Sequence, residues 1–294
     1  DGGIYAVSVY DNDERAGCVL RYLSDPEGER TGPDGRRYRK VEFDEAFNWI
    51  RENRPEWADT VHRIPLTEIT SILKPEEQMA GIIRRNQRVR SLMGLFSLPD
   101  RSYGCTGSLL CGLENEASDI DLVVYGEDWF SAQRQLAGAV AAGKIPSMSE
   151  EMWRKVYRKR VPEIGFDDFV AHEERKFNRG EYEGTYFDLL FSRGYNHQNA
   201  VTIRKGEAIG RDVIEARVTD ASLAFDNPSV YAIDHDEISY VLSFTHTYAG
   251  QALAGEQIEA AGVVEDHGDE KWLIVGTTRE ARGEYILSRT LLDR

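Results

Sequence analysis

The chain has 294 residues, 41% of them hydrophobic and 30% charged, with 51 Asp and Glu against 36 Lys and Arg and a formal net charge of −15. This composition excludes a disordered chain, and the length suffices for two or three domains, each with its own core. No run approaches the ~18 apolar residues of a membrane span, and the first residues lack a basic stretch followed by an apolar one; a cytoplasmic protein with no membrane partner is expected.

Strand-like runs open the chain at Ile4 to Val9, Cys18 to Leu23 and Arg37 to Phe43, separated by turn-rich segments such as DPEGERTGPDG. A helical pattern, DEAFNWIREN, follows and stops before Pro55. Residues 1–73 are therefore expected to form a small α+β N-terminal domain, with Tyr5, Tyr22, Tyr38, Phe47 and Trp49 in its core. Pro75 stands where a helix-starting proline belongs. Apolar residues at Met79, Ile82, Ile83, Val89, Leu92, Met93 and Phe96 then predict one amphipathic helix ending near Pro99.

The stretch TGSLLCGLENEASDIDLVV, Thr106 to Val124, comes next. Helical patterns follow over Trp129 to Lys144, Ser149 to Arg160 and Phe166 to Arg179, and a strand over Gly184 to Arg193, so that residues 74–205 form a middle domain. Beyond Ala200 the runs SLAF, SVYAI, EISYVLSFTHTYAG, EQIEAAGVVED and EKWLIVGTT are divided by Asp, Gly and Asn turns. Residues 206–294 thus read as a β-rich domain, a small closed or partly closed barrel, with the oligonucleotide-binding type one candidate on strand count alone.

The chemistry concentrates in the middle. On a strand, side chains alternate, so Asp119 and Asp121 project from one face while Ile120, Leu122 and Val124 take the other. Their Cα atoms then stand about 6 to 7 Å apart, from a rise of about 3.3 Å per residue. Two such carboxylates repel unless a cation lies between them, and hard Mg2+ takes carboxylate oxygens together with substrate phosphates. Asp188 interrupts the apolar run YFDLLF, where a buried carboxylate needs a partner; a metal shared with Asp119 and Asp121 would supply one. Gly107 permits close approach of a phosphate to the backbone, and Ser108 can donate to it. The plainer reading of Asp119 and Asp121 is the solvated end of an edge strand on an acidic surface.

Gly107-Ser108, Asp119-Ile120-Asp121 and Asp188 resemble the GS, DxD and third-Asp signature of the DNA polymerase β-like nucleotidyltransferase superfamily. The resemblance implies a mixed sheet with flanking helices across residues 75–193. It further implies that Asp119, Asp121 and Asp188 are catalytic metal ligands for two Mg2+ ions, with Mn2+ as a substitute. Asp188 would also act as general base, and Gly107 and Ser108 would cradle the triphosphate. Many small members continue the pattern as GSxARG, whereas here Cys111 stands at the arginine's place, before Gly112. A substitute cation is sought in WRKVYRKR, where Arg154, Lys155, Arg158 and Lys159 recur at helical spacing beside Trp153 and Tyr157, suited to a triphosphate or a nucleic-acid backbone. The same run reads equally as a solvated face. Arg175, Lys176 and Arg179 form a second candidate.

Other signals are weaker. Cys18, Cys105 and Cys111 offer no CxxC pair and are expected as reduced, partly buried thiols. His235, His246 and His267 lack metal-ligand spacing and are expected on surface loops. No GxSxG, GxxxxGK or GxGxxG motif supports a hydrolase or dehydrogenase. Only eight residues are lysine, and this acid-rich composition resembles that of proteins from salt-loving archaea.

The expected fold class is α+β, a polymerase β-like core between a small α+β domain and a β-barrel-like domain. The expected function is transfer of a nucleoside monophosphate from an NTP to an acceptor hydroxyl with release of pyrophosphate. An RNA end is the favoured acceptor, ahead of a protein side chain or a small molecule. The alternative is a non-catalytic nucleotide-sensing or nucleic-acid-binding module on the same fold. Oligomeric state is not legible.

Overall fold

A computed structural model describes residues 2–59, 61–195, 203–277 and 283–293. The chain divides into two compact units, Asp1–Asp128 with Glu183–Leu189, and Trp129–Tyr182 with Leu190–Arg294.

The first unit opens with strands β1 (Ile4–Val7), β2 (Arg15–Ser24), β3 (Arg30–Thr31) and β4 (Arg37–Lys40), helix α1 (Phe43–Asn53) and strand β5 (His62–Pro65). The sheet runs β1-β2-β4-β3, with β5 also paired to β2. The ten residues of β2 serve three neighbours: β1 on one side, and β5 then β4 along the other. Leu20, Leu23, Val41 and Ala46 bury one cluster with Tyr5 and Trp49 against it, and Cys18, Ile50, Trp57 and Ile64 bury another. Of the aromatics expected in the core, Tyr22 and Tyr38 are buried, whereas Tyr5, Phe47 and Trp49 are half-buried.

Two helices follow where the sequence suggested one, α2 (Pro75–Arg85) and α3 (Gln87–Met93). Asn86 breaks the run: its backbone is extended, and its Oδ1 accepts the Val89 N–H at 3.1 Å as an N-cap. The apolar period survives the break, with Met79, Ile82, Val89 and Leu92 all buried. This is why the pattern alone read as continuous.

Strand β6 (Tyr103–Cys105), helix α4 (Gly107–Cys111) and strand β7 (Ile120–Tyr125) complete this run of the chain. A Cβ at Gly104 would lie 2.2 Å from the Pro75 carbonyl carbon, so the start of α2 rests directly on β6. The chain leaves the unit through α5 (Glu127–Ala141), α6 (Glu150–Arg160), α7 (Phe166–Lys176) and β8 (Arg179–Tyr182). It returns with the first residues of β9 (Thr185–Ser192), which lies beside β7 in the order β6-β7-β9.

The second unit holds helices α5 to α7 and strands β10 (Glu207–Leu223), β11 (Ser229–Asp234), β12 (Tyr240–Ser243), β13 (Gln257–Asp266), β14 (Lys271–Val275) and β15 (Tyr285–Ser288), then α8 (Arg289–Leu292). The strands pair in the order β10-β11-β12-β14-β13, and β13 pairs back onto β10, closing a ring; β15 adds to β13. The β12–β14 pairing is parallel and the others are antiparallel. The 17-residue β10 closes the ring, pairing with β13 over Glu207 to Arg217 and with β11 from Arg217 onward.

This unit also contains buried charge. Glu173 pairs with Lys176 and, at 3.1 Å, with Arg179; all three are buried. Burial pushes the Glu173 carboxyl up, but Arg179 and Lys176 outweigh it and hold the acid below its ordinary range. Arg175 pairs with Glu256 at 2.7 Å. The second basic group suggested by the sequence is thus spent on internal ion pairs rather than offered to a phosphate. His267 also differs from expectation: it stacks on Trp272 with ring centroids 3.8 Å apart, its side chain almost wholly covered.

Candidate active site

Gly107, Ser108, Asp119, Asp121 and Asp188 all fall in the first unit. Thr106 N–H donates to the Asp121 carbonyl at 2.9 Å, which ties the entry of α4 to β7. Gly107 has φ +64, a left-handed conformation that glycine adopts without strain. A Cβ there would lie 2.6 Å from Asp121 Oδ2, inside van der Waals contact. The glycine is therefore required twice, by its backbone angle and by the carboxylate against it. The Gly-Ser turn and the DxD segment are one local structure, although Asp119 lies 12 positions after Gly107 in the chain.

Asp121 lies in β7 and is half-buried; Asp119 precedes the first residue of that strand and is exposed. Ile120, Leu122 and Val124 on the opposite face are buried, as the alternation requires. Asp188 lies mid-strand in β9, next to β7. It is half-buried rather than buried, between the covered Phe187 and Leu189, and its Oδ1 accepts the Tyr186 hydroxyl at 3.0 Å. The run YFDLLF looks apolar on both faces, but the two faces differ: Tyr186, Asp188 and Leu190 lie on the more open one. Among the described residues, no three His, Cys, Asp or Glu side chains are gathered closely enough to form a metal-holding group as they stand. The donor chemistry nonetheless suits a hard cation, with carboxylate oxygens from adjacent strands and a cradle beside Asp121 that a Cβ would fill.

The position of the missing arginine is apolar here. Cys111 packs against the cluster of Tyr22, Tyr38 and Leu113, and burial, with Glu114 adding to it, pushes its thiol up to about 11. Cys18 and Cys105 are buried and all three thiols are free. Arg154, Lys155, Arg158 and Lys159 lie on α6 in the second unit, on an exposed face. Arg154 there pairs with Glu150 at 2.6 Å and lies over the Phe166 ring at 4.3 Å. Trp153 is buried, and the Tyr157 hydroxyl donates to the Ile164 carbonyl, so neither ring is offered for stacking.

Three arginines that sequence reasoning passed over sit beside the site. Arg85 donates to the Leu109 carbonyl at 2.6 Å and to Glu114 at 3.3 Å. Arg88 donates to the carbonyls of Asn115, Glu116 and Ser118. Arg30, from the N-terminal sheet, donates to the Leu113 carbonyl and to Ser118 Oγ, both at 3.1 Å. Arg85 and Arg88 fall within the stretch whose apolar residues predict a helix, which gives their cations no distinct signal, and Arg30 carries no local signal at all.

The nucleotidyltransferase domain family matches residues 88–178, a span holding the Gly-Ser turn and both DxD aspartates and ending before Asp188. Uncharacterized protein MJ1086 of Methanocaldococcus jannaschii is 36% identical over 286 residues, covering 86% of this chain and 83% of the relative. The chain belongs to the polymerase β-like nucleotidyltransferases. No solved structure matches it. Among the described residues of this nucleotidyltransferase, no helix is long and apolar enough to cross a membrane.

Proposed function

We propose that the protein transfers a nucleoside monophosphate from an NTP to an acceptor hydroxyl, releasing pyrophosphate, with Mg2+ as the activating ion and Mn2+ as a substitute. The observation that carries this reading is the close approach of Gly107 to Asp121: a Cβ is excluded where a phosphate and a cation would have to meet. Asp119, Asp121 and Asp188 would hold the ions, which when bound offset charge on the attacking and leaving oxygens of an in-line displacement. Gly107 and Ser108 would bind the triphosphate through backbone and hydroxyl donors. Asp188, oriented by the Tyr186 hydroxyl, would take the proton of the acceptor hydroxyl.

An RNA end is the favoured acceptor. The ring of β10, β11, β12, β14 and β13, with β12 and β14 parallel, supports this reading because it has the strand order of an oligonucleotide-binding-type barrel. The exposed Lys155, Arg158 and Lys159 of α6 would meet a phosphate backbone. A second reading, a nucleotide-sensing module without turnover, is favoured by Cys111, because an apolar side chain packed into the Tyr22 cluster cannot contact phosphate.

Incubation with Mg2+ and each α-labelled NTP, with and without RNA, separates the two. Label transfer with pyrophosphate release is expected, reduced by about 100-fold or more in Asp121→Asn and Asp188→Asn. Nucleotide binding without any transfer would favour the sensing module, and transfer unaltered in both variants would remove these carboxylates from the chemistry.

A further inference from the structure

Asp119 is the least supported of the three carboxylates. It lies outside the β7 ladder, is exposed, and makes no hydrogen bond of its own among the described residues. Its place is set by its neighbours in the chain: Ile120, buried as the first residue of β7, and Ser118, which is also buried. Ser118 is held from two directions. Its Oγ accepts from Arg30 and from the Asn115 N–H, and its carbonyl accepts from Arg88 at 3.1 Å. The turn before it is internally tied, with Asn115 Oδ1 accepting the Ala117 N–H and the Ser118 hydroxyl.

We infer that Arg30 and Arg88 are positioning residues that clamp the segment 113–118 from two distant points of the first unit's sequence and so fix the Asp119 carboxylate for its ion. This rests on the metal-dependent reading above and extends it to residues outside the signature. Arg30 reaches the carbonyl of Leu113 and the hydroxyl of Ser118, the two ends of the segment. Arg88 reaches three carbonyls within it, at Asn115, Glu116 and Ser118. Only a guanidinium, with five donors in a planar fork, spans several acceptors in this way; a lysine ammonium is a single point. The N-terminal sheet thereby acquires a role in the site, since β3 is the element that delivers Arg30.

The sign of the effect separates positioning from simple electrostatics. Removing a positive charge near a cation site should by Coulomb attraction alone tighten cation binding. Removing a clamp should loosen it, and loss of groups that orient metal ligands costs 10- to 100-fold in metal affinity or activity. Full-length wild type, Arg30→Ala, Arg88→Ala, Arg88→Lys and Ser118→Ala are titrated with Mn2+ by electron paramagnetic resonance, well below the Tm of each. Pyrophosphate release is then resolved into kcat and KM for the NTP. Arg84→Ala, an exposed arginine on α2 outside the clamp, serves as the control.

The expected result is Mn2+ binding weaker by 10- to 100-fold in both Ala variants, incomplete rescue by Arg88→Lys, a smaller loss in Ser118→Ala, and a fall in kcat larger than any change in KM. Wild-type or tighter Mn2+ affinity in Arg30→Ala and Arg88→Ala overturns the inference even if their Tm falls, because the arginines then only stabilise the fold. If either fails to fold, Ser118→Ala and Arg88→Lys decide by the same criterion. A wild type that binds neither Mn2+ nor NTP removes the metal-dependent reading itself, an outcome distinct from the others.

Discussion

At Gly107 one hydrogen atom separates a working geometry from a blocked one. Gly107→Ala places a methyl group 2.6 Å from Asp121 Oδ2 and forces a left-handed backbone on alanine at φ +64. The backbone term alone costs about 1 to 2 kcal/mol, too little to unfold a domain of ordinary stability. The displaced carboxylate should abolish transfer while the protein stays folded. Circular dichroism and pyrophosphate release on the same sample check this: full activity would mean that Asp121 can move without consequence.

His62 gives a second prediction at this scale. Its ring is completely buried, lies 4.5 Å from the Phe47 ring, and has neither nitrogen hydrogen-bonded. Burial lowers its pKa to about 4, against an ordinary value of 6.5. Above pH 6.5 the ring is neutral folded or unfolded, and its effect is constant. Between pH 6.5 and 4 only the unfolded chain takes the proton, so stability falls as pH falls, by on the order of 3 kcal/mol across the window. His62→Phe should flatten that part of the curve in denaturant titrations at pH 7, 6 and 5. An unchanged slope would assign the acid sensitivity elsewhere, for instance to His172, which burial also lowers to about 4.

Among the elements, α7 shows most directly how a charged sequence folds inward. Its Phe169, His172, Glu173 and Lys176 are buried, although only Phe169 is apolar. His172 Nδ1 donates to the Asp168 carbonyl and Nε2 accepts the Ser288 N–H at 2.9 Å, joining α7 to the end of β15. Glu173 pairs with both Lys176 and Arg179. Glu173→Ala would leave two buried cations without their acid, and breaking a buried pair in this way costs about 3 to 5 kcal/mol. Thermal unfolding should show a large loss; a change below about 1 kcal/mol would mean that water or another group reaches the cations.

Element boundaries followed the local signals where these were strong. Ser149 caps α6 by accepting the Met152 N–H, and β9 occupies the run expected of it. Periodicity misled at Asn86 because the buried stripe crosses the break in phase. The long β10 gave little signal because Glu207 to Val213 are all exposed; only Ile214, Ala216 and Val218 alternate into the core. A strand whose first half faces water on both sides lacks the pattern by which strands are read.

For the whole molecule, the net charge of −15 sets the response to salt. Carboxylates in such excess repel across the folded surface, and the Debye length shrinks from about 10 Å at 0.1 M to about 3 Å at 1 M. The Tm should rise between these KCl concentrations. A fall would mean that surface ion pairs such as Arg204–Asp269 and Arg217–Asp234 outweigh the repulsion.

The sequence by itself determined the family, because Gly-Ser, DxD and a third strand aspartate are patterns legible locally, and it pointed to Gly107, Ser108, Asp119, Asp121 and Asp188 as the residues to test. It also determined that a strand-rich region follows, because turns punctuate short apolar runs. Only the tertiary structure decided which cations matter and where. Arg175, Lys176 and Arg179 proved to be internal partners, and Arg30, 88 residues before Ser118, proved to hold the segment that carries Asp119. A guanidinium looks alike in sequence whether it meets water, a phosphate or a backbone carbonyl. The difference lies in what long-range folding brings within about 3 Å of it.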